Sequence, residues 1–127
     1  MLLKTSMVTL GKEALAPAEP GEVAQKTLTR PLRTAPAAVP GIVFLSGGQS
    51  DQEATANLNE INVKAASVGA PWQLSLSYAR DLQAAPLKAW EGSSDNVQSA
   101  QSAFYCRTHM VSAARQGALQ PEIASHD

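Results

Sequence analysis

The sequence predicts an α/β fold of parallel strands joined by helical crossovers. Two observations carry that prediction. Short apolar runs alternate with longer amphipathic segments along the chain, and one run, Ile42-Val43-Phe44-Leu45, is almost continuously apolar. An unbroken apolar strand is expected where a parallel sheet is covered on both faces. Strand–helix alternation is the pattern of parallel sheets with right-handed crossovers. At 127 residues, with 44% apolar and 17% charged side chains, the chain is about one domain long and too apolar for disorder.

The elements follow in order. Leu2 to Leu10 reads as a strand rich in Leu, Met, Val and Thr. A Pro/Gly-containing linker, Ala16 to Gly21, leads into a helix from about Glu22, and Pro31 is expected to kink or end it. Ala35 to Pro40 is a loop, and the Ile42–Leu45 strand follows. Ser50-Asp51-Gln52-Glu53 is a capping box, predicting a helix that runs to about Ile61. Trp72, Leu74, Leu76 and Tyr78 alternate, which marks a third strand. A short helix around Ala84–Trp90 and a longer one from about Asn96 to Gln116 complete the order. The last carries Val97, Phe104, Val111 and Ala118 at heptad spacing, with Ala100 and Ala114 alongside, as one apolar stripe. Three strands alone would leave both sheet edges open, so the order β-α-β-α-β-α-α reads as part of a larger α/β structure.

Composition narrows the partners. Net charge is −1 with no basic cluster, which argues against nucleic acid and anionic membrane surfaces. No apolar run approaches the ~18 residues of a membrane span. The first ten residues, MLLKTSMVTL, lack the basic and apolar regions of a signal peptide. The single cysteine, Cys106, fits a reducing compartment, and the expected location is cytoplasmic.

Lys4 is out of place in a strand otherwise suited to burial. Desolvated, its amine would be neutral and able to attack a carbonyl as a Schiff-base nucleophile; on an edge, it would simply reach for water. Ser46-Gly47-Gly48 lies between a strand and a capped helix, so it reads either as a tight turn or as a site where backbone amides meet an anion. No Gly-Lys-Ser/Thr follows, which excludes a P-loop. Ser77 and Arg80 follow the third strand, placed to hold a phosphate or to lie on the surface. Cys106 and His109 are one helical turn apart without further ligands, and read as a packed thiol and a solvated imidazole. Trp72 and Trp90 read as core or helix-packing residues. Together the lysine, the glycine turn and the Ser-x-x-Arg suit a carbonyl substrate bearing phosphate.

These residues resemble a known family. LLKTSMV is similar to the lysine strand of class I fructose-bisphosphate aldolases, usually LLKPNMV. Pro36 to Asn62 is similar almost throughout, Pro71 to Trp90 contains SYARDLQ where the family usually has SYGRALQ, and DNVQSAQSAFYCR resembles the terminal helix. The resemblance implies part of a (β/α)8 barrel, about strands six to eight, with residues 1–127 as one partial barrel domain and no second domain. It implies Lys4 as the Schiff-base lysine, Ser46, Gly47 and Gly48 as the loop for the 1-phosphate, and Ser77 and Arg80 as further phosphate-binding positions. The implied reaction is cleavage of fructose 1,6-bisphosphate to dihydroxyacetone phosphate and glyceraldehyde 3-phosphate, with no metal or other cofactor, because the iminium is the electron sink. The implied partners are a sugar phosphate and either further copies of the chain or a complementary barrel half. A barrel piece that binds sugar phosphate without catalysis is the alternative. Three departures stand out: Thr5-Ser6 replaces Pro-Asn, Ala79 replaces a glycine, and the chain stops at His126-Asp127 without a terminal tyrosine. A methyl at Ala79 would crowd a phosphate or forbid a positive φ.

Overall fold

The computed structural model describes residues 1–120; the predicted stop at His126-Asp127 lies outside them. Strands β1 (Leu3–Ser6), β2 (Gly41–Leu45) and β3 (Gln73–Leu76) form one parallel sheet in the order β1-β2-β3. Helix α1 (Pro20–Thr34) connects β1 to β2, and α2 (Asp51–Val68) connects β2 to β3. Helix α3 (Arg80–Trp90), a 3-10 turn (Ser94–Asn96) and α4 (Val97–Arg115) follow. The predicted order of elements is the observed one.

β1 is shorter than the Leu2–Leu10 run because its partner runs out. Leu3 pairs with Ile42 and Ser6 with Leu45, after which β2 turns away at Ser46. Beyond the ladder, the Val8 amide donates to Thr27 Oγ1 at 2.9 Å and Met7 is buried.

Side chains alternate across the sheet. Ile42, Phe44, Leu74 and Leu76 point to one face and are fully buried with Val23 and Leu28 of α1, Leu58 and Ile61 of α2, and Val111 and Ala114 of α4. Each such side chain contributes roughly 1.5–3 kcal/mol on burial. The opposite face is open: Lys4 is exposed, Val43 and Ser75 are half-buried, and Leu45 keeps 39% of its surface. The expectation that β2 is covered on both faces is therefore corrected, since the helices pack on one side only.

The helices differ from the sequence reading in several respects, among them the start of α3 at Arg80 instead of about Ala84. Pro31 neither ends nor starts α1; the helix continues to Thr34 and Pro31 is buried on its packed face. Its missing N–H costs a bond to the Thr27 carbonyl, and burial of the ring beside Leu28 offsets that loss. α2 runs past Ile61 to Val68, where Gly69 closes it in a left-handed conformation (φ 66°) and donates to Ala65 and Ala66. Asn62 holds this extra length in place, its amide reaching the carbonyls of Leu58 (3.1 Å) and Ala114 (3.2 Å). The stripe on α4 is only half buried. Val111 and Ala114 are inside, but Val97 and Phe104 are 43% and 47% exposed and Ala118 is exposed.

The capping box forms as its spacing demands. Ser50 Oγ accepts from the Glu53 amide at 3.2 Å, and a Glu53 carboxylate oxygen accepts from the Ser50 amide at 2.9 Å. The Ser50 backbone N–H, and then its hydroxyl, hold the Glu53 carboxyl below its usual value. A depressed pKa contributes stability above the ordinary carboxylate range, and that contribution fades as pH falls through the lowered value. Ser50→Ala is expected to cost about 1 kcal/mol in denaturant unfolding. Glu53→Gln flattens the acid side of the stability profile slightly, the group being almost fully exposed.

Candidate functional site

The parallel register brings the C-terminal ends of the strands into one line. Ser6 pairs with Leu45, and the Ser77 amide donates to the Phe44 carbonyl at 2.7 Å. The β2–α2 turn at Ser46–Gln49 and the β3–α3 turn at Ser77–Ala79 are thus neighbours on the same sheet edge. Lys4 lies on β1 in register with Val43, which in turn pairs with Ser75. It sits on the open face, about 7 Å along the strand from Ser6.

The glycine turn has the backbone its sequence predicts. The Gln49 amide donates to the Ser46 carbonyl at 3.1 Å, and both central residues have positive φ, 62° at Gly47 and 90° at Gly48. Two positive φ angles in succession define a turn that side chains other than glycine disfavour. Gly47 and Gly48 are exposed, and among the described residues no backbone carbonyl outside the helices and strands accepts from either amide. The turn is braced from behind by Gln49, whose Nε2 donates to the Ser46 carbonyl (2.7 Å) and whose Oε1 accepts from Asn57. Gly47, Gly48, Gln49, Asn57 and Lys12 line an open cleft of about 710 Å³. Sequence reading missed Gln49 and Asn57; their spacing of eight, two helical turns apart across the capping box, was the available signal.

Lys4 belongs to a separate hollow of about 180 Å³ along the β1 edge, shared with Thr27, Arg30 and Pro31. The structure therefore places Lys4 on the strand beside the glycine turn, short of the C-terminal sheet edge, and does not enclose them in one cavity. Of the two readings of Lys4, the chain by itself matches the edge one: β1 is an edge strand and Lys4 is exposed.

At the third turn, Ser77 is half-buried, and Arg80 is exposed as the first residue of α3. Tyr78 is exposed, its hydroxyl 2.8 Å from Ser75 Oγ. Ala79 has φ −152°, so the residue that replaces glycine is not forced into the left-handed region. Its amide is already engaged, donating to Asp81 Oδ1 at 3.1 Å. Asp81 is buried, with 3% of its surface exposed, and its Oδ2 has no hydrogen-bond partner among the described residues. The segment SYARDLQ held the signal for this acid, since alanine usually stands there in SYGRALQ.

Arg107 was equally missed, although its spacing to Val111 and Ala114 puts it on the buried face of α4. It is 1% exposed and donates to the carbonyls of Asp81 (3.1 Å) and Asp51 (3.2 Å) and to Thr55 Oγ1 (2.9 Å). One side chain thus ties α4 to the first turns of α2 and α3, the helices that open beside the two turns.

The remaining candidates settle into packing. Cys106 is half-buried with Sγ 4.0 Å from Met110 Sδ, and His109 is exposed. Among the described residues no cluster of His, Cys, Asp or Glu could hold a metal. Trp72 is buried and donates to the Pro36 carbonyl at 2.9 Å, whereas Trp90 keeps 43% of its surface. No helix among the described residues is long and apolar enough to cross a membrane.

Comparison with known proteins gives a consistent result. The family model for class-I fructose-bisphosphate aldolase matches residues 1–127. Fructose-bisphosphate aldolase B of Gallus gallus is 50% identical over 116 residues, covering 91% of this chain and 31% of that protein. A cytosolic fructose-bisphosphate aldolase of Arabidopsis thaliana is 48% identical over 116 residues, covering 91% of the chain and 29% of the relative. A solved fructose-bisphosphate aldolase from Plasmodium falciparum, in complex with TRAP and a small-molecule inhibitor, superposes with a TM-score of 0.85 at 43% identity. It covers 94% of this chain and 33% of that one. The chain spans about a third of the length of the relatives it matches.

Proposed function

The chain belongs to the class-I fructose-bisphosphate aldolase family, and from that premise we propose that it supplies the imine-forming lysine and the phosphate-binding turns of a glycolytic lyase. The observation that carries this reading is the pairing of the Ser46-Gly47-Gly48 and Ser77–Arg80 turns at the C-terminal sheet edge, with Lys4 two residues before the end of the adjoining strand, in a chain matched from end to end. Ligands of parallel α/β folds bind at that edge.

Lys4 attacks the ketone of fructose 1,6-bisphosphate and loses water to form a protonated imine. The imine nitrogen then draws in the electron pair of the carbon–carbon bond that breaks, releasing glyceraldehyde 3-phosphate. The C4 hydroxyl gives up its proton as it becomes the aldehyde, the enamine left on Lys4 takes a proton at C3, and hydrolysis of the restored iminium releases dihydroxyacetone phosphate. The Gly47 and Gly48 amides, with Ser46, Ser77 and Arg80, hold the phosphate of the ketone half. The strands are the sixth, seventh and eighth of a (β/α)8 barrel, forming a single partial barrel domain. The cytosol is the proposed location, a cytosolic relative being supported alongside a chloroplastic one.

The open face supports a second reading. Lys4 and Leu45 are exposed there, and β1 and β3 are both edge strands. Further strands, from a complementary barrel half or assembly with other copies, would cover Lys4 and take its side chain out of water. On this reading the chain alone binds sugar phosphate, and cleavage begins only when the face is covered. The two are separated by measuring triose phosphate release from fructose 1,6-bisphosphate with the chain alone and after mixing with the complementary half.

The phosphate turn has its own test. A Cβ on Gly48 meets no atom within 4 Å, so Gly48→Ala is opposed by its φ of 90° and not by crowding. The expected result is a strain of about 1–2 kcal/mol and roughly tenfold weaker binding of dihydroxyacetone phosphate by calorimetry. Unchanged binding would remove the turn from the site.

A further inference from the structure

Asp81 is a buried acid at the turn where a phosphate is expected, and the reaction above does not use it. Its carboxylate reaches back to cap the Ala79 amide through Oδ1 at 3.1 Å, while Oδ2 stays buried without a partner among the described residues. Among the described residues no ion pair includes it. Arg107 bonds the Asp81 backbone carbonyl, and the ion pair found among the described residues is Lys26–Glu22, on the surface. Arg80, one residue away, is exposed. The carboxylate thus stands where the first turn of α3 is most favourable to an anion, and it uses an amide that an incoming anion would need.

We infer that Asp81 is a specificity-determining residue of the Ser77–Arg80 turn: its carboxylate takes the Ala79 amide and fixes a negative charge there, so the backbone of this turn is closed to phosphate, which only the Ser77 and Arg80 side chains then reach. This rests on the reading that the turn faces the substrate's phosphate. Two effects act together. A phosphate arriving at the turn finds the Ala79 amide occupied, and it must approach a like charge in surroundings that screen poorly. Phosphate is then held mainly by the Gly47–Gly48 turn.

The test is a titration of the isotope-labelled 127-residue chain with inorganic phosphate, following the amide resonances of Gly47, Gly48, Ala79 and Arg80. In the unaltered chain phosphate is expected to shift Gly47 and Gly48 and to leave Ala79 and Arg80 unmoved. Asp81→Ala brings Ala79 and Arg80 into the response and tightens phosphate at least about tenfold, or about 1.4 kcal/mol. Asp81→Asn keeps an acceptor for the Ala79 amide while removing the charge, so its gain is smaller and separates charge from occupancy. Both variants relieve a half-satisfied buried carboxylate and are expected to fold. Equal affinity in all three proteins, with shifts confined to Gly47 and Gly48, overturns the inference alone. Response of Ala79 and Arg80 in the unaltered chain does the same. Silence at all four amides in every protein overturns the phosphate reading as well.

Discussion

Lys4→Met is expected to leave the chain folded and to lower any cleavage of fructose 1,6-bisphosphate by at least about a thousandfold. The side chain is exposed on a sheet face with no hydrogen bond or ion pair to hold it among the described residues, so its loss changes stability by no more than about 0.5 kcal/mol. Methionine keeps the length and apolar stem of lysine and removes only the nucleophile. A loss of activity at unchanged unfolding midpoint therefore reports the amine itself. Lys4→Arg sharpens the point, because it keeps a positive charge that cannot form the imine. If both variants retained cleavage, the catalytic amine would lie elsewhere, on Lys12, Lys26, Lys64 or Lys88.

Arg107→Ala is expected to be the most damaging single change to the fold, at about 3–5 kcal/mol. The guanidinium sits among the buried first turns of two helices and α4, and it satisfies the carbonyls of Asp51 and Asp81 together with Thr55 Oγ1. Truncation opens a cavity and removes three hydrogen bonds at once, although Thr55 Oγ1 still donates to the Asp51 carbonyl at 2.6 Å. Arg107→Met fills most of the volume and repairs none of the bonds, so a smaller loss with methionine apportions the cost between packing and polarity. Denaturant unfolding of both variants checks this; a loss under about 1 kcal/mol for Arg107→Ala would show that water replaces the guanidinium.

The same two residues show what could be read in the sequence. Element order, the Ser50 capping box and the positive φ angles at Gly47 and Gly48 are local matters. They follow from spacing, caps and the absence of side chains, and the structure reproduces them. Lys4 was legible as an oddity in its strand, and the reading of it as an edge lysine matches its exposure. Whether a strand face is covered depends on what else packs there, and the apolar Val43 and Leu45 gave a misleading signal. Pro31 survives inside α1 because tertiary burial outweighs its local penalty. Arg107 and Asp81 are polar residues that bury through contacts made more than twenty positions away, and periodicity carries no sign of such partners. Asp81 became legible only where SYARDLQ departs from SYGRALQ.

The central claim is that Lys4 forms an imine with a phosphorylated ketone. Borohydride reduction in the presence of dihydroxyacetone phosphate, followed by peptide mass spectrometry, tests it most directly. The account predicts a reduced three-carbon phosphate adduct on the peptide containing Lys4, strengthened when the complementary barrel half is present. A folded chain that acquires no adduct under either condition, or acquires it on Lys12, Lys26, Lys64 or Lys88 as readily as on Lys4, would contradict it.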